Sequence, residues 1–277
     1  MTDRNDDTLG KDAWRALRAY TPARIAQGRS GVSLPTAANL QFQYDHARAR
    51  DAVNLPFNTG QFVTEYCVAF PTLPQPQILQ SEATSRAQYL QRPDLGRRLP
   101  ESSWQGLRQS VNSDEGYDIA IVVADGLSSA AVQGNALGLL RLLIPALGAQ
   151  KLSLAPLCVA TQARVALGDD LGEALRARLV IMLIGERPGL SSPDSLGVYL
   201  TYAPRRGCSD AKRNCISNIR TGGRSYEQAC DTAMYLISAA FKKSITGVGL
   251  KDESLLVLES SATTIPFFKP KPRLPHL

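Results

Sequence analysis

YDIAIVVADG (residues 117–126) decides the fold. Ile119, Ile121, Val122 and Val123 make it a nearly continuous apolar run, and it stops at Asp125-Gly126. A strand with no polar alternate face is one buried on both sides, as in a parallel sheet covered by helices. Behind it, SSAAVQGNALGLLRLLIPAL (128–147) places Leu137, Leu140, Ile144 and Leu147 at helical spacing. KLSLAPLCVAT (151–161) reads as a second strand, GDDLGEALRA (168–177) as a short helix and RLVIMLIGE (178–186) as a third strand. LGVYLTYAP (196–204) reads as a fourth strand, and SYEQACDTAMYLISAAFKK (225–243) as an amphipathic helix. Strands alternating with helices predict an α/β domain around a parallel sheet.

The chain ahead of this block has a different texture. Asp12 is placed to cap a short helix carrying Trp14 and Leu17, and Thr21-Pro22 is a helix-start signal. GRSG (28–31) interrupts the chain, and a longer helix is expected after Pro35, with Leu40, Tyr44 and Ala47 on one face. PTLPQPQ (71–77) is too rich in proline for a regular element and reads as a linker or an extended strap. At the other end, TTIPFFKPKPRLPHL (263–277) alternates proline with bases and suits neither a helix nor a central strand. The expected organisation is a helical region over 1–110, an α/β domain over 111–250 and a proline-rich tail over 251–277.

Bulk chemistry removes several function classes. The 277 residues are 44% hydrophobic and 20% charged, an ordinary globular composition with no run of about 18 uninterrupted apolar residues. The acidic, polar start MTDRNDDTLGKDAW is not a secretory signal, so the cytoplasm is expected. Five cysteines without a C-x-x-C pair argue against a disulfide framework or a structural zinc site. The two histidines, His46 and His276, are too few for a histidine-rich metal centre. The net charge of +6 comes from arginines spread among acids, which favours a solvated or subunit-facing surface over nucleic-acid binding.

In an open parallel sheet the binding residues belong at the carboxyl ends of the strands. ADGLSS (124–129) there is either plain turn and cap chemistry or a helix N-terminus open to an anionic group. It is neither G-x-G-x-x-G nor G-x-x-x-x-G-K-[ST], so a stand-alone nucleotide- or phosphate-binding protein is the alternative reading and has no motif behind it. Glu186 ends a run otherwise built for burial. It either satisfies amides of its own loop or accepts hydrogen bonds from the amides of a ligand, with Pro188 and Gly189 fixing the turn. Cys215 in NCISNI (214–219) is either a small hydrophobe or a site residue, and no histidine lies near it in sequence to activate it. With no G-x-S-x-G elbow either, the chain carries no catalytic constellation of its own.

Taken together, TPARIAQGRSGVSLPT (21–36), FQYDHARARDAV (42–53), RPDLGRRL (92–99), IVVADGLS (121–128), GERPGLSSPDSLGVYLTYAP (185–204) and NCISNI resemble the small (light) subunit of ethanolamine ammonia-lyase, over about residues 12 to 250. The resemblance implies a Rossmann-like, mostly parallel sheet that covers adenosylcobalamin, and a large barrel-shaped partner subunit that holds the substrate. It implies a complex that converts ethanolamine to acetaldehyde and ammonia by a radical route. The family's cobalamin contacts fall on Val165 in ARVALGDD, Glu186 in GERPGL and Cys215 in NCISNI, with docking on the large subunit assigned to the helical region. D-x-H-x-x-G, by which a protein histidine can replace the cofactor's own lower base, is absent. Asp45-His46 has the wrong spacing for it. The family also implies a cytoplasmic hetero-oligomer, with a bacterial microcompartment as the destination of some members.

Overall fold

The computed structural model describes residues 13–111 and 116–253. The helices are α1 (Thr36–Asn54), α2 (Thr59–Ala69), α3 (Arg86–Gln91), α4 (Glu101–Ser110), α5 (Ser129–Ala149), α6 (Leu167–Ala174) and α7 (Tyr226–Lys243). The strands are β1 (Gln77–Gln80), β2 (Tyr117–Ala124), β3 (Cys158–Thr161), β4 (Ala177–Gly185), β5 (Leu196–Tyr202) and β6 (Arg213–Ile219). They form one sheet in the order β1-β3-β2-β4-β5-β6. The block β1-β3-β2-β4 is parallel, whereas β5 and β6 are added antiparallel. The architecture is mixed α/β with a mostly parallel sheet.

Both faces of β2 and β4 are covered, as their unbroken apolar runs require. Ile119, Ile121 and Val123 face a core with Leu139, Leu140 and Leu143 of α5 and Leu236 and Ile237 of α7. Ala120, Val122 and Ala124 face the other way, with Leu167 and Leu171 of α6 and Leu107 of α4. Helix α5 is long and apolar enough to cross a membrane by length and composition; its apolar side lies on the sheet instead. Of the stripe expected on it, Leu140, Ile144 and Leu147 are buried and Leu137 packs at the margin. Ser225 caps α7 in a full capping box with Gln228.

Several expectations are corrected. LGVYLTYAP is a strand but runs antiparallel to β4. The connection from Gly185 to Leu196 holds no helix, and a parallel crossover usually needs one. RNCISNI (213–219) is the edge strand β6. Its anchor is Arg213, buried with Asp169 of α6, whose two carboxylate oxygens each lie 2.5 Å from Nη1. QILQ, just after the proline-rich stretch, is the opposite edge strand β1, so the sheet recruits a strand from ahead of residue 111. Thr21-Pro22 starts no helix: the Thr21 hydroxyl accepts the Ala23 amide at 3.1 Å, and Ala26, Gly28 and Gly31 then take positive φ angles, which break a helix. Trp14 and Leu17 lie exposed on a 3-10 turn, Ala13–Ala19, and Leu40 and Tyr44 are exposed on α1. The Asp12 cap and the tail 263–277 lie outside the described residues.

Candidate functional site

The chain order sets the position of the site. β2 is followed by β3 on one side of it and then by β4 on the other, so the loops at their carboxyl ends diverge around a crevice. A groove of about 400 Å³ opens there, lined by Gly126 and Leu127 after β2, Arg164 and Val165 after β3, and Glu186 after β4. A second hollow of about 460 Å³ adjoins it through Arg164, Val165 and Tyr199 and reaches Cys215 on β6. The sheet thus brings Val165, Glu186 and Cys215 to one continuous depression, from three separate stretches of sequence.

Val165 is half-buried and packs at the margin of the α6-side core, leaving an apolar surface on the groove. Glu186 is half-buried, and Oε2 is taken up internally. It accepts the Ser195 hydroxyl and, at 3.3 Å, the Asn218 amide. The carboxylate thus satisfies its own loop and the neighbouring edge strand through Oε2, and among the described residues no hydrogen bond reaches Oε1. A Cβ at Gly197 would sit 2.9 Å from that oxygen, so only glycine leaves Glu186 in place. The Glu186 amide donates to the Ser195 carbonyl at 2.9 Å, and paired Gly189 and Ser192 backbone bonds close the intervening turn.

Cys215 faces the hollow from the edge strand, with an exposed side chain. Crowding by the groove walls pushes its thiol up, and the negative charge of Glu186 adds to this against a hydrogen bond from Tyr199. A thiol so held is a neutral, polarizable contact surface and not an activated nucleophile. Burial likewise pushes the Tyr199 phenol well up, with Cys215 and Glu186 contributing.

The ADGLSS loop is not an open anion cradle. Asp125 is 2% exposed, and its carboxylate accepts the Gln162 amide at 2.8 Å and the Ala163 amide at 3.0 Å. Ser128 caps α5 by accepting the Ala131 amide, and its hydroxyl donates to the Pro193 carbonyl at 2.8 Å. The loop is turn and cap chemistry that ties three strand ends together. Asp125, Tyr199 and Arg164 were not singled out from sequence. Asp125 had a signal, a carboxylate ending a fully apolar strand, but Tyr199 sits inside an apolar run and Arg164 among many arginines.

Two buried polar atoms near the groove, Arg164 Nε and Gln162 Oε1, have no hydrogen-bond partner among the described residues. Among those residues no group of three or more His, Cys, Asp or Glu side chains is disposed to hold a metal ion. The groove combines apolar contact from Leu127, Val165 and Ile184 with the Glu186 carboxylate, two arginines and the Tyr199 ring, which suits a mostly apolar ligand edged with polar groups.

A family model for the ethanolamine ammonia-lyase light chain matches residues 11–251. Among curated proteins, the ethanolamine ammonia-lyase small subunit of Xanthomonas campestris pv. campestris is 52% identical over 248 residues, covering 89% of this chain and 90% of that protein. The small subunit of Azotobacter vinelandii is 51% identical over 255 residues, 92% of this chain and 93% of its own. That of Pseudomonas aeruginosa is 50% identical over 260 residues, with the same coverage. This chain belongs to the ethanolamine ammonia-lyase light chain family.

Proposed function

We propose that this chain is the cofactor-covering small subunit of an adenosylcobalamin-dependent ethanolamine ammonia-lyase, active only with a large subunit that holds the substrate. The observation that carries the reading is the convergence of Val165, Glu186 and Cys215 on one depression at the strand ends. The parallel β1-β3-β2-β4 block with helices on both faces supports a Rossmann-like cofactor domain over about 111–250, with β1 contributed from outside it. The small-subunit names of the relatives support a large partner and a hetero-oligomer. The exposed apolar residues Leu40 and Tyr44 of α1, with Trp14, support docking through the first 110 residues.

The residues fit the group. A corrin is a broad apolar disc with acetamide and propionamide arms. Val165 and Tyr199 offer it flat contact, and Glu186 Oε1 is an acceptor for an arm's N–H. Adenosylcobalamin, when bound, supplies a cobalt–carbon bond whose homolysis begins the radical conversion of ethanolamine to acetaldehyde and ammonia. This chain's residues would bind and orient it: Val165 would give apolar contact, Glu186 would accept an N–H from a peripheral arm, and Cys215 would line the adjoining wall without giving up its proton. His46 lies on α1 and does not line the groove, which fits a cofactor that keeps its own lower base. We assign the complex to the cytoplasm.

The test is reconstitution of the chain with the large subunit and adenosylcobalamin, reading acetaldehyde. Activity from the full mixture alone is the expected result, with Glu186→Ala and Val165→Glu raising the cofactor concentration needed. Full affinity in both variants would remove the groove from the account.

A further inference from the structure

Arg86, the first residue of α3, reaches three other parts of the chain. Its Nε donates to the Val53 carbonyl near the end of α1 at 2.7 Å. Its Nη1 donates to the Gly126 carbonyl at 2.8 Å and lies 3.4 Å from Asp125 Oδ2. The side chain is 17% exposed and that of Asp125 3%, so these bonds are made away from bulk water, where a lost partner costs most. Asp125 passes the constraint on by holding the Gln162 and Ala163 amides. Gln162 has a φ of 55°, in the left-handed region, so the turn leading to Val165 is held in a conformation its own backbone does not favour. Tyr89 reinforces the arrangement. Arg86 and Arg164 lie 4.7 and 4.3 Å from its ring centroid, and its hydroxyl donates to the Ala163 carbonyl at 3.0 Å.

We propose that Arg86 is a positioning residue that couples the N-terminal helices to the strand-end groove, setting through Asp125 the loop that presents Val165. Arg86 itself does not line the groove or the adjoining hollow. The consequence is that displacement of the α1 end relative to α3, as when a large partner seats on α1, is transmitted to the groove wall through one guanidinium. Burial pushes the Asp125 carboxyl up, opposed by the two amides and by Arg86. Without the guanidinium that carboxyl takes up a proton more readily, and a protonated oxygen is a poorer acceptor for the amides. This inference rests on the groove reading above.

The experiment uses the reconstituted two-subunit complex with Arg86→Lys, Arg86→Ala and Asp125→Asn, and Glu186→Ala alongside. Three quantities are read: cyanocobalamin affinity by equilibrium dialysis, hydrogen exchange at the Gln162 and Ala163 amides, and the split between half-saturating cofactor and kcat. We expect Arg86→Ala to weaken cobalamin binding roughly tenfold or more, the scale of one charge-assisted hydrogen bond lost. The half-saturating cofactor concentration should rise far more than kcat falls, both amides should exchange faster, and added guanidinium ion should restore part of the affinity. Lys at 86 should be intermediate, since it keeps the charge but not the planar fork that reaches the Val53 and Gly126 carbonyls together. If Arg86→Ala does not assemble, Arg86→Lys and Asp125→Asn decide by the same readouts. Unchanged affinity and exchange in the variants that assemble overturn the coupling. Loss of affinity in the Arg86 variants with none in Glu186→Ala instead overturns the assigned role of Glu186 and leaves the coupling standing.

Discussion

Gly126 closes the turn after β2 with a φ of 57°, and an added Cβ would sit 2.2 Å from the Gly185 carbonyl oxygen and 2.6 Å from Ile184 Cγ1. Neither neighbour can yield easily, since Gly185 is backbone of the central strand β4 and Ile184 is buried beside it. Gly126→Ala therefore adds about 1 kcal/mol of left-handed strain and about 1–3 kcal/mol of overpacking, roughly 2–4 kcal/mol in all. Gly134 is the internal control: it lies exposed within α5, and a Cβ there meets nothing within 4 Å. Gly134→Ala should stabilise by about 0.5–1 kcal/mol through helix propensity. Urea denaturation of the two variants against the parent chain reads both values on one scale. Separation of the β2 and β4 ends would relieve the clash and widen the groove beside Glu186. Gly126→Ala should accordingly weaken cobalamin binding in the reconstituted complex. A Gly126→Ala chain within 0.5 kcal/mol of the parent would refute the packing argument at the strand ends.

Arg213→Met should cost about 3–5 kcal/mol in the same assay, because it leaves the Asp169 carboxyl buried without its partner, and the added change Asp169→Leu should recover much of the loss. A double variant no better than the single would show that the pair is not the source of the cost. Burial raises the Tyr89 phenol to about 12 in the folded chain. Between the ordinary value near 10 and 12 the unfolded chain gives up this proton while the folded one keeps it, so stability falls as pH rises through that window. The loss is on the order of 3 kcal/mol across that window, and Tyr89→Phe should flatten the slope measured from pH 9 to 12. Gly197→Ala should displace Glu186 and mimic Glu186→Ala in cobalamin affinity, measured by equilibrium dialysis. Wild-type affinity in Gly197→Ala would mean that the carboxylate has room to spare.

What was legible in the sequence followed burial. β2 and β4 are covered on both faces, so their composition is unbroken and their assignment needed no context. β6 was missed because an edge strand with Asn214, Cys215, Ser217 and Asn218 outside the core carries no such run. β1 was missed for the same reason, being four residues with alternate positions exposed. The direction of β5 was not read out although the signal was present, since ERPGLSSPDS offers no helix for a parallel return. At the site, Glu186 stood out as a charge ending an apolar run and Cys215 as one of two readings of NCISNI, whereas Val165 came from family resemblance alone; the sheet brings the three to one depression. Arg86 and Asp125 could not be paired in advance, because their contact spans 39 residues and depends on where α3 packs.

The central claim is most directly tested by amide hydrogen exchange on the two-subunit complex with and without adenosylcobalamin. The account predicts new protection in three separate segments of this chain: 164–166 after β3, 186–189 after β4 and 214–218 on β6. Protection confined to other segments, with these three exchanging at unchanged rates, would contradict it.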